Sequence, residues 1–188
     1  MTDIVKKAAF AVKKTLALKG IEIRHGVALE VIAALLGYRT YAALVTEESD
    51  DHLQYHLQDA EFIVLDQHGA DARIEELGLS DLFILDDFIE SLVDCRSAVF
   101  RSVHEFYDDY AREALHEIIL SDERVIAVME NTTATSPYWV ELDDRWTVSG
   151  KVWSSVDSWK FVAFGTMDGE HLGTFPDPED GDQFEDTG

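Results

Sequence analysis

The sequence predicts an α+β fold, with helices in the first two thirds of the chain and a small antiparallel sheet in the last third. Up to Ser121, apolar residues recur every three or four positions, which is the spacing of one face of an α-helix. After Ser121, short segments rich in Val, Trp, Tyr and Phe are joined by short connections, as in an antiparallel sheet. Apolar residues make up 46% of the 188 residues, which is enough for a core although the formal net charge is −23.

The first 46 residues are predicted to form a basic helical module. A first helix begins at Thr2, its N-cap, and ends at Gly20, with lysines between its apolar residues. A second helix ends at Gly37, and Thr40 is the expected N-cap of a third. The predicted core faces of the first two helices consist of Ile4, Val5, Ala8, Ala9, Val12, Leu16, Val27, Val31, Ile32, Leu35 and Leu36.

The second and third helices, joined by Gly-Tyr-Arg-Thr, have the arrangement of a helix-turn-helix, which raises the alternative of a DNA-binding regulator. A recognition helix beginning at Thr40 would present mainly Tyr41, Ala and Leu, followed by Glu47 and Glu48, and few of these side chains can read bases. We therefore favour a packing unit and expect no direct binding of nucleic acid.

The acidic middle of the chain is predicted to form amphipathic helices. One extends from about residue 50 to residue 58, one covers residues 70–77, one follows Ser80 as its N-cap and a longer one covers residues 97–120. Residues 62–65 fit either a strand or a buried helical turn.

The last two of these helices carry acidic side chains opposite their apolar residues. We expect these nine carboxylates to face solvent and to be the contacts with a binding partner. They are Asp86, Asp87, Glu90, Asp94, Glu105, Asp108, Asp109, Glu113 and Glu117.

Four strands and two turns are predicted after Ser121. Asp143-Asp144 is the expected turn between the second and third strands, and Met167-Asp168-Gly169 is the expected turn after the fourth. The predicted strands are residues 125–129, 138–142, 146–153 and 160–164.

The four tryptophans lie in this last third. Most of them are expected in the core of the sheet or in its packing against helices, whereas an exposed one would anchor a protein partner. They are Trp139, Trp146, Trp153 and Trp159.

Composition divides the chain into a basic module over residues 1–46, an acidic α+β domain over residues 47–175 and a mobile acidic tail over residues 176–188. The last 12 residues include 6 acids and almost nothing to bury. The first 40 residues hold 7 Lys/Arg and 3 Asp/Glu, and the remainder holds 8 and 35, so a segment of +4 precedes one of −27. A surface so acidic attracts basic partners and repels nucleic acid and anionic lipid.

Cysteine content and hydropathy predict a soluble, cytoplasmic protein without a membrane segment. Cys95 is the single cysteine, which excludes an intrachain disulfide and fits a reducing compartment. We expect Cys95 to be a small core residue. No stretch reaches the roughly 20 apolar residues that are needed to span a bilayer.

Two residue pairs have the spacing of metal ligands, but the sequence predicts neither a metal site nor a cofactor. His52 and His56 stand four apart on a predicted helix, without the intervening Glu of a zinc protease, and solvent-facing rings are expected. Glu113 and His116 have the Glu-x-x-His spacing of di-iron bundles, but no second copy exists. Since nucleophile-elbow and phosphate-loop motifs are also absent, we expect no enzymatic activity, and a metal-dependent enzyme stays an alternative.

Residues 20–44 resemble a short N-terminal helical module of uncharacterised bacterial proteins from plasmids and integrated elements, which also occurs in some glyoxalase-related proteins. The resemblance depends on His25, Glu30, the Gly37-Tyr38-Arg39 turn and the Tyr41–Leu44 segment. It covers about a quarter of the chain and implies a mobile-element setting, without a catalytic residue.

These observations predict an acidic inhibitor from a mobile element or phage that binds a basic, nucleic-acid-binding surface of a host defence protein. Such a protein would be a nucleic-acid mimic of the anti-CRISPR or anti-restriction type, because ordered carboxylates compete with phosphates for Lys and Arg. An immunity protein or antitoxin that neutralises one toxin is the alternative within the binding class.

Overall fold

The computed structural model describes residues 3–96, 98–150 and 160–171 and confirms the α+β fold. Its contacts divide the chain into two compact units, Met1–Ala111 with Thr147–Phe161 and Arg112–Trp146 with Val162–Gly188. The boundary predicted after residue 46 falls inside the first unit. The predicted tail, residues 176–188, lies outside the described residues.

Helices in the first unit enclose one apolar core. They are α1 (Asp3–Leu18), α2 (His25–Leu35), α3 (Tyr41–Glu48), α4 (Gln67–Glu76) and α5 (Leu85–Val93). Helix α1 packs on α2 and α5, and α2 also packs on α3 and α4. The side of α1 predicted as core is buried except for the half-buried Ile4, and the small Ala8, Ala9 and Ala28 allow close approach of helices.

The ends of α2 and α3 follow the predicted capping chemistry. Gly37 adopts a left-handed φ of 83° just after α2, a conformation that glycine reaches without steric cost. The Thr40 hydroxyl accepts a hydrogen bond from the amide of Ala43 at 3.1 Å, as an N-cap does. The half-buried Glu30 carboxylate then joins three elements, because it accepts from Arg73 of α4 at 2.7 Å and from the Tyr41 amide at 3.3 Å.

The helix predicted over residues 50–58 is wrong. This segment forms bends and one 3₁₀ turn, Leu57–Asp59, because side chains satisfy its backbone groups. Asp50 accepts from the His52 amide at 2.9 Å, and the buried Glu48 accepts from the Leu57 amide at 2.7 Å. Arg96 donates to the carbonyl oxygens of Leu57, Gln58 and Ala60.

Residues 63 and 64 of the 62–65 run form a strand, which resolves the two alternatives left by the sequence. Strand β1 (Ile63–Val64) pairs in parallel with β2 (Val99–Phe100), with Ile63 opposite Val99. The prediction of one helix from residue 97 is therefore wrong at its start, since pairing with a distant strand prevails over local periodicity.

Helix α6 (Val103–Phe106) begins after β2 and continues through a π-helical turn, Tyr107–Ala111, into α7 (Arg112–Ser121). The Ser102 side chain caps α6 by accepting from the Glu105 amide at 3.1 Å. Helix α6 is held by aromatic contacts, because the Phe106 ring meets the Phe100 ring edge-on with 5.0 Å between centroids.

Helix α5 begins later than predicted. Ser80–Leu82 forms a separate 3₁₀ turn. Phe83 then adopts a left-handed φ of 48°, which ends this turn before α5 begins at Leu85. Ser80 is therefore not the N-cap of α5.

The second unit contains α7, α8 (Glu123–Glu130) and most of an antiparallel ribbon of β3 (Ala134–Ser149) and β4 (Lys160–His171). The strand predicted over residues 125–129 is wrong, because Asp122 caps α8 by accepting from the Arg124 amide at 2.9 Å.

The predicted turns at Asp143-Asp144 and Met167–Gly169 are wrong, since β3 and β4 run through them as continuous strands. Only residues 146–150 of the strand predicted at residues 146–153 lie within the described ranges, and β3 ends at Ser149. Two glycines of β4 lie against the backbone of β3: a Cβ at Gly165 would collide with the Glu141 carbonyl, and one at Gly169 would lie 2.5 Å from the Thr135 oxygen.

Replacement of Thr40 by alanine is expected to lower the free energy of unfolding by about 1 kcal/mol, because the amide of Ala43 loses its acceptor. Urea unfolding of the full chain measures the change. Thr46→Ala is the matched control, because Thr46 is exposed and bonds only back to the Ala42 carbonyl, and it should change stability by less than about 0.5 kcal/mol. Equal losses in the two variants would contradict the capping role.

Candidate binding surface

Helix α5 positions four of the nine predicted carboxylates. Its apolar side, Phe88, Ile89 and Leu92, is buried, so Asp86, Glu90 and Asp94 are exposed on the opposite side. Asp87 differs, because its side chain is only 13% exposed.

Lys19, which directly follows α1, forms an ion pair with Asp87. The Lys19 Nζ atom lies 2.6 Å and 2.8 Å from the two carboxylate oxygens of Asp87, 68 residues away in the sequence. A pair this close leaves both charges compensated within the protein. Asp87 therefore belongs to the contact between α1 and α5 and is a poor contact for an outside partner.

Arg101 forms ion pairs with two further predicted carboxylates, Glu90 and Glu105. Its Nη1 atom lies 2.7 Å from Glu90 Oε1, and its Nε atom lies 3.9 Å from Glu105 Oε1. The backbone N–H of Arg101 also donates to the Glu105 carboxylate. Glu90 and Glu105 thus share one cation and help to fix the connection between β2 and α6.

Asp108 and Asp109 lie in the π-helical turn, the element that often marks functional sites in helices. Buried Phe106 and Tyr107 fix the orientation of this turn. Asp108 Oδ2 lies 2.8 Å from His104 Nδ1, whereas Asp109 is exposed and makes no described side-chain contact.

Glu113 and Glu117 belong to the second unit, where both are exposed on α7. They stand four residues apart, so both side chains face the same way at a separation of about 6 Å along the axis. Within the described ranges, five of the nine predicted carboxylates have no ion-pair partner: Asp86, Asp94, Asp109, Glu113 and Glu117.

Exposed apolar side chains form a feature of the second unit that the sequence did not predict. No described side chain of α7 or α8 is fully buried, and Ile118 and Val128 are 61% and 66% exposed. On the ribbon, Trp139 is 49% and Phe164 is 55% exposed. Residues 118–120 and 125–129 are apolar runs in the sequence, but such runs are typical of buried segments and do not by themselves predict exposure.

Trp139 is therefore an exposed tryptophan of the kind that was expected to anchor a protein partner. In a two-stranded ribbon, alternate side chains face away from the packed side, and Trp139 occupies such a position. Trp146 is half-buried, and Trp153 and Trp159 lie outside the described residues.

The histidines that were predicted to share a helical face do not do so. His52 is exposed in a turn, whereas His56 is half-buried with its Nδ1 atom 3.6 Å from Oε2 of the buried Glu48. Glu113 and His116 share α7 as predicted. Among the residues that the structure describes, no group of three or more His, Cys, Asp or Glu side chains could hold a metal ion.

Cys95 is half-buried after α5, and its environment weakens it as a nucleophile. Burial raises the pKa of the thiol, and the nearby negative charge of Asp94 raises it further. Since the thiolate is the reactive form, the thiol is less reactive at neutral pH than an exposed cysteine.

The Cys95 thiol is expected to react with iodoacetamide at pH 8 more slowly than free cysteine, because its raised pKa lowers the thiolate fraction. Asp94→Asn should accelerate the reaction by removing the negative charge that raises the pKa. The rate of adduct formation, followed by mass spectrometry, measures both effects, and the chain unfolded in urea serves as the reference. A folded chain that reacts faster than the unfolded one would contradict this account.

No described helix has both the length and the apolar character that crossing a membrane requires. No family model matches the chain, and neither a curated protein nor a solved structure matches it. The similarity of residues 20–44 to the mobile-element module stays a prediction.

Proposed function

We propose that this chain is an acidic, non-enzymatic inhibitor from a mobile element or phage that binds a basic surface of a host defence protein. In this proposal it mimics nucleic acid, as an inhibitor of the anti-CRISPR or anti-restriction type would. The observation that supports the proposal is the set of five exposed carboxylates without an ion-pair partner among the described residues, Asp86, Asp94, Asp109, Glu113 and Glu117.

Charge balance explains why such carboxylates must exist. The chain has 38 Asp and Glu but only 15 Lys and Arg, so at least 23 carboxylates would lack a Lys or Arg of their own even if every pair formed. Unpaired carboxylates in fixed helical positions repel one another and destabilise the compact state. A basic partner relieves that repulsion, which favours binding.

The spacing of the carboxylates limits how the mimicry can work. Duplex DNA carries about one charge per 1.7 Å of its axis. Two glutamates one helical turn apart, such as Glu113 and Glu117, supply only about one charge per 6 Å. One helix is therefore too sparse, and the proposal requires carboxylates from several elements to contact the same partner.

Apolar exposure in the second unit supports an immunity protein or antitoxin as the second candidate. Trp139 and Phe164 are large side chains of the kind that dominate binding energy when a partner covers them. In this candidate the acidic charge steers association and the aromatic side chains supply affinity, so nucleic acid would not compete.

Affinity capture from a bacterial lysate with the full chain as bait tests the proposal. We expect capture of a nucleic-acid-binding protein at low salt, and its release by high salt or by added DNA or RNA. The variant Asp86→Asn, Asp94→Asn, Asp109→Asn, Glu113→Gln, Glu117→Gln should bind that protein at least about five-fold more weakly, since even exposed pairs contribute about 0.2–1 kcal/mol each.

The control variant removes five other exposed carboxylates, again three from the first unit and two from the second: Glu22→Gln, Asp51→Asn, Glu61→Gln, Glu123→Gln and Glu130→Gln. Both variants have the same net charge, so only a local contact distinguishes them. Equal weakening would count against the five proposed contacts. A captured protein that neither DNA nor RNA displaces would reject mimicry and favour the immunity candidate.

A further inference from the structure

A groove in the first unit lies between α4 and the segment that leads into α5. Its volume is about 600 Å³, within the usual range of about 300–1,000 Å³ for ligand pockets. Ile74 and Ile84, both buried in the core, form its apolar floor. The groove therefore offers an apolar base on a rigid helical support.

Phe83 lines the groove and contributes almost nothing to the core. Its side chain is 92% exposed, the highest exposure among the large apolar residues described. An aromatic ring held in water has one face available for a cation or an apolar side chain. Because the Phe83 side chain is exposed, a substitution that removes it leaves no cavity in the core.

Three carboxylates line the same groove. Asp71 and Glu75 stand one turn apart on α4, and Asp86 lies in the first turn of α5. Within the described ranges no Lys or Arg pairs with them. The two nearest candidates in sequence are engaged elsewhere: Arg73 pairs with Glu30 and Glu76, and Arg96 donates to backbone carbonyl oxygens of residues 57–60. The groove thus combines an apolar base with uncompensated negative charge.

We propose that this groove binds a short basic peptide segment of a partner protein, one in which Arg or Lys alternates with an apolar residue. The guanidinium or ammonium group contacts Asp71, Glu75 and Asp86, and an apolar neighbour lies on Ile74 and Ile84. A cation over the Phe83 ring adds a further attraction. The three carboxylates repel nucleic acid, and the net charge of −23 disfavours a second copy.

This inference rests on the proposed function, because it names the chemistry of the partner segment that the acidic protein would hold. It adds Asp71, Glu75 and Phe83, none of which belongs to the five carboxylates proposed above. The two proposals can therefore fail separately.

The test uses the full ¹⁵N-labelled chain and a fluorescein-labelled peptide in which Arg and Leu alternate. We expect saturable binding by fluorescence anisotropy, with amide shift changes concentrated at residues 71–75 and 83–86. Peptides with Glu in place of Arg, or Ser in place of Leu, should bind at least about ten-fold more weakly, since each removes one half of the recognition.

Two variants of the chain examine the groove directly. Phe83→Gly and the double variant Asp71→Asn, Glu75→Gln should each weaken peptide binding at least about ten-fold. Phe83→Gly should leave the melting temperature unchanged or raised, because glycine adopts φ of 48° readily. The matched controls are Phe10→Ala, another exposed aromatic residue, and the double variant Glu22→Gln, Asp51→Asn, which should bind as the unchanged chain does.

Several results would overturn the groove as a peptide site. These are shift changes confined to other residues, equal weakening in the controls, or self-association of the chain that Phe83→Gly abolishes. If the peptide does not bind the groove but the chain captures a nucleic-acid-binding protein that DNA displaces, the groove inference fails and the inhibitor proposal stands. If the peptide binds the groove but the lysate yields no such protein, the inhibitor proposal fails and the groove remains a basic-peptide site.

Discussion

Packing of α1 against α2 and α5 is the constraint on which the first unit depends. A chain with 38 acids and 15 Lys and Arg repels itself, so its stability must come from contacts that charge does not weaken. Val12 and Leu16 are fully buried, and burial of such a side chain contributes about 1.5–3 kcal/mol. An exposed ion pair contributes about 0–1 kcal/mol. The apolar core, and not the ion pairs, therefore keeps this acidic unit folded.

The lysine and arginine side chains of the first unit contribute in a different way, because their positions determine which carboxylates have a compensating positive charge. Lys19 pairs with Asp87 at the contact between α1 and α5. Arg101 pairs with Glu90 of α5 and with Glu105 of α6. These cations neutralise carboxylates that lie close to packed elements. Their limited number leaves carboxylates such as Asp94 and Asp109 uncompensated. The acidic surface is thus uneven, and its uncompensated parts are the ones that an outside cation can reach.

Capping chemistry predicted the end of α2 and the start of α3, whereas several other local patterns gave wrong helices, strands and turns, and distant contacts could not be predicted. Thr40 was predictable as a cap because its partner is three residues away. The ion pair of Lys19 with Asp87 joins residues 68 positions apart, and no periodicity reveals it. Residues 125–129 have a composition typical of strands but form α8, because Asp122 supplies a cap that outweighs β propensity. Exposed carboxylates were predictable from helix faces, but their pairing was not.

At the two glycines of β4, the backbone of β3 lies so close that no side chain would fit at either position. At Gly165 and Gly169 a Cβ atom would meet the backbone of β3, whereas exposed positions such as Trp139 have no such restriction. Sequence drift can therefore alter the surface of the ribbon while these two positions stay fixed. In diverged relatives of this chain, a pair of glycines four residues apart would mark the register of the ribbon after all other similarity had been lost.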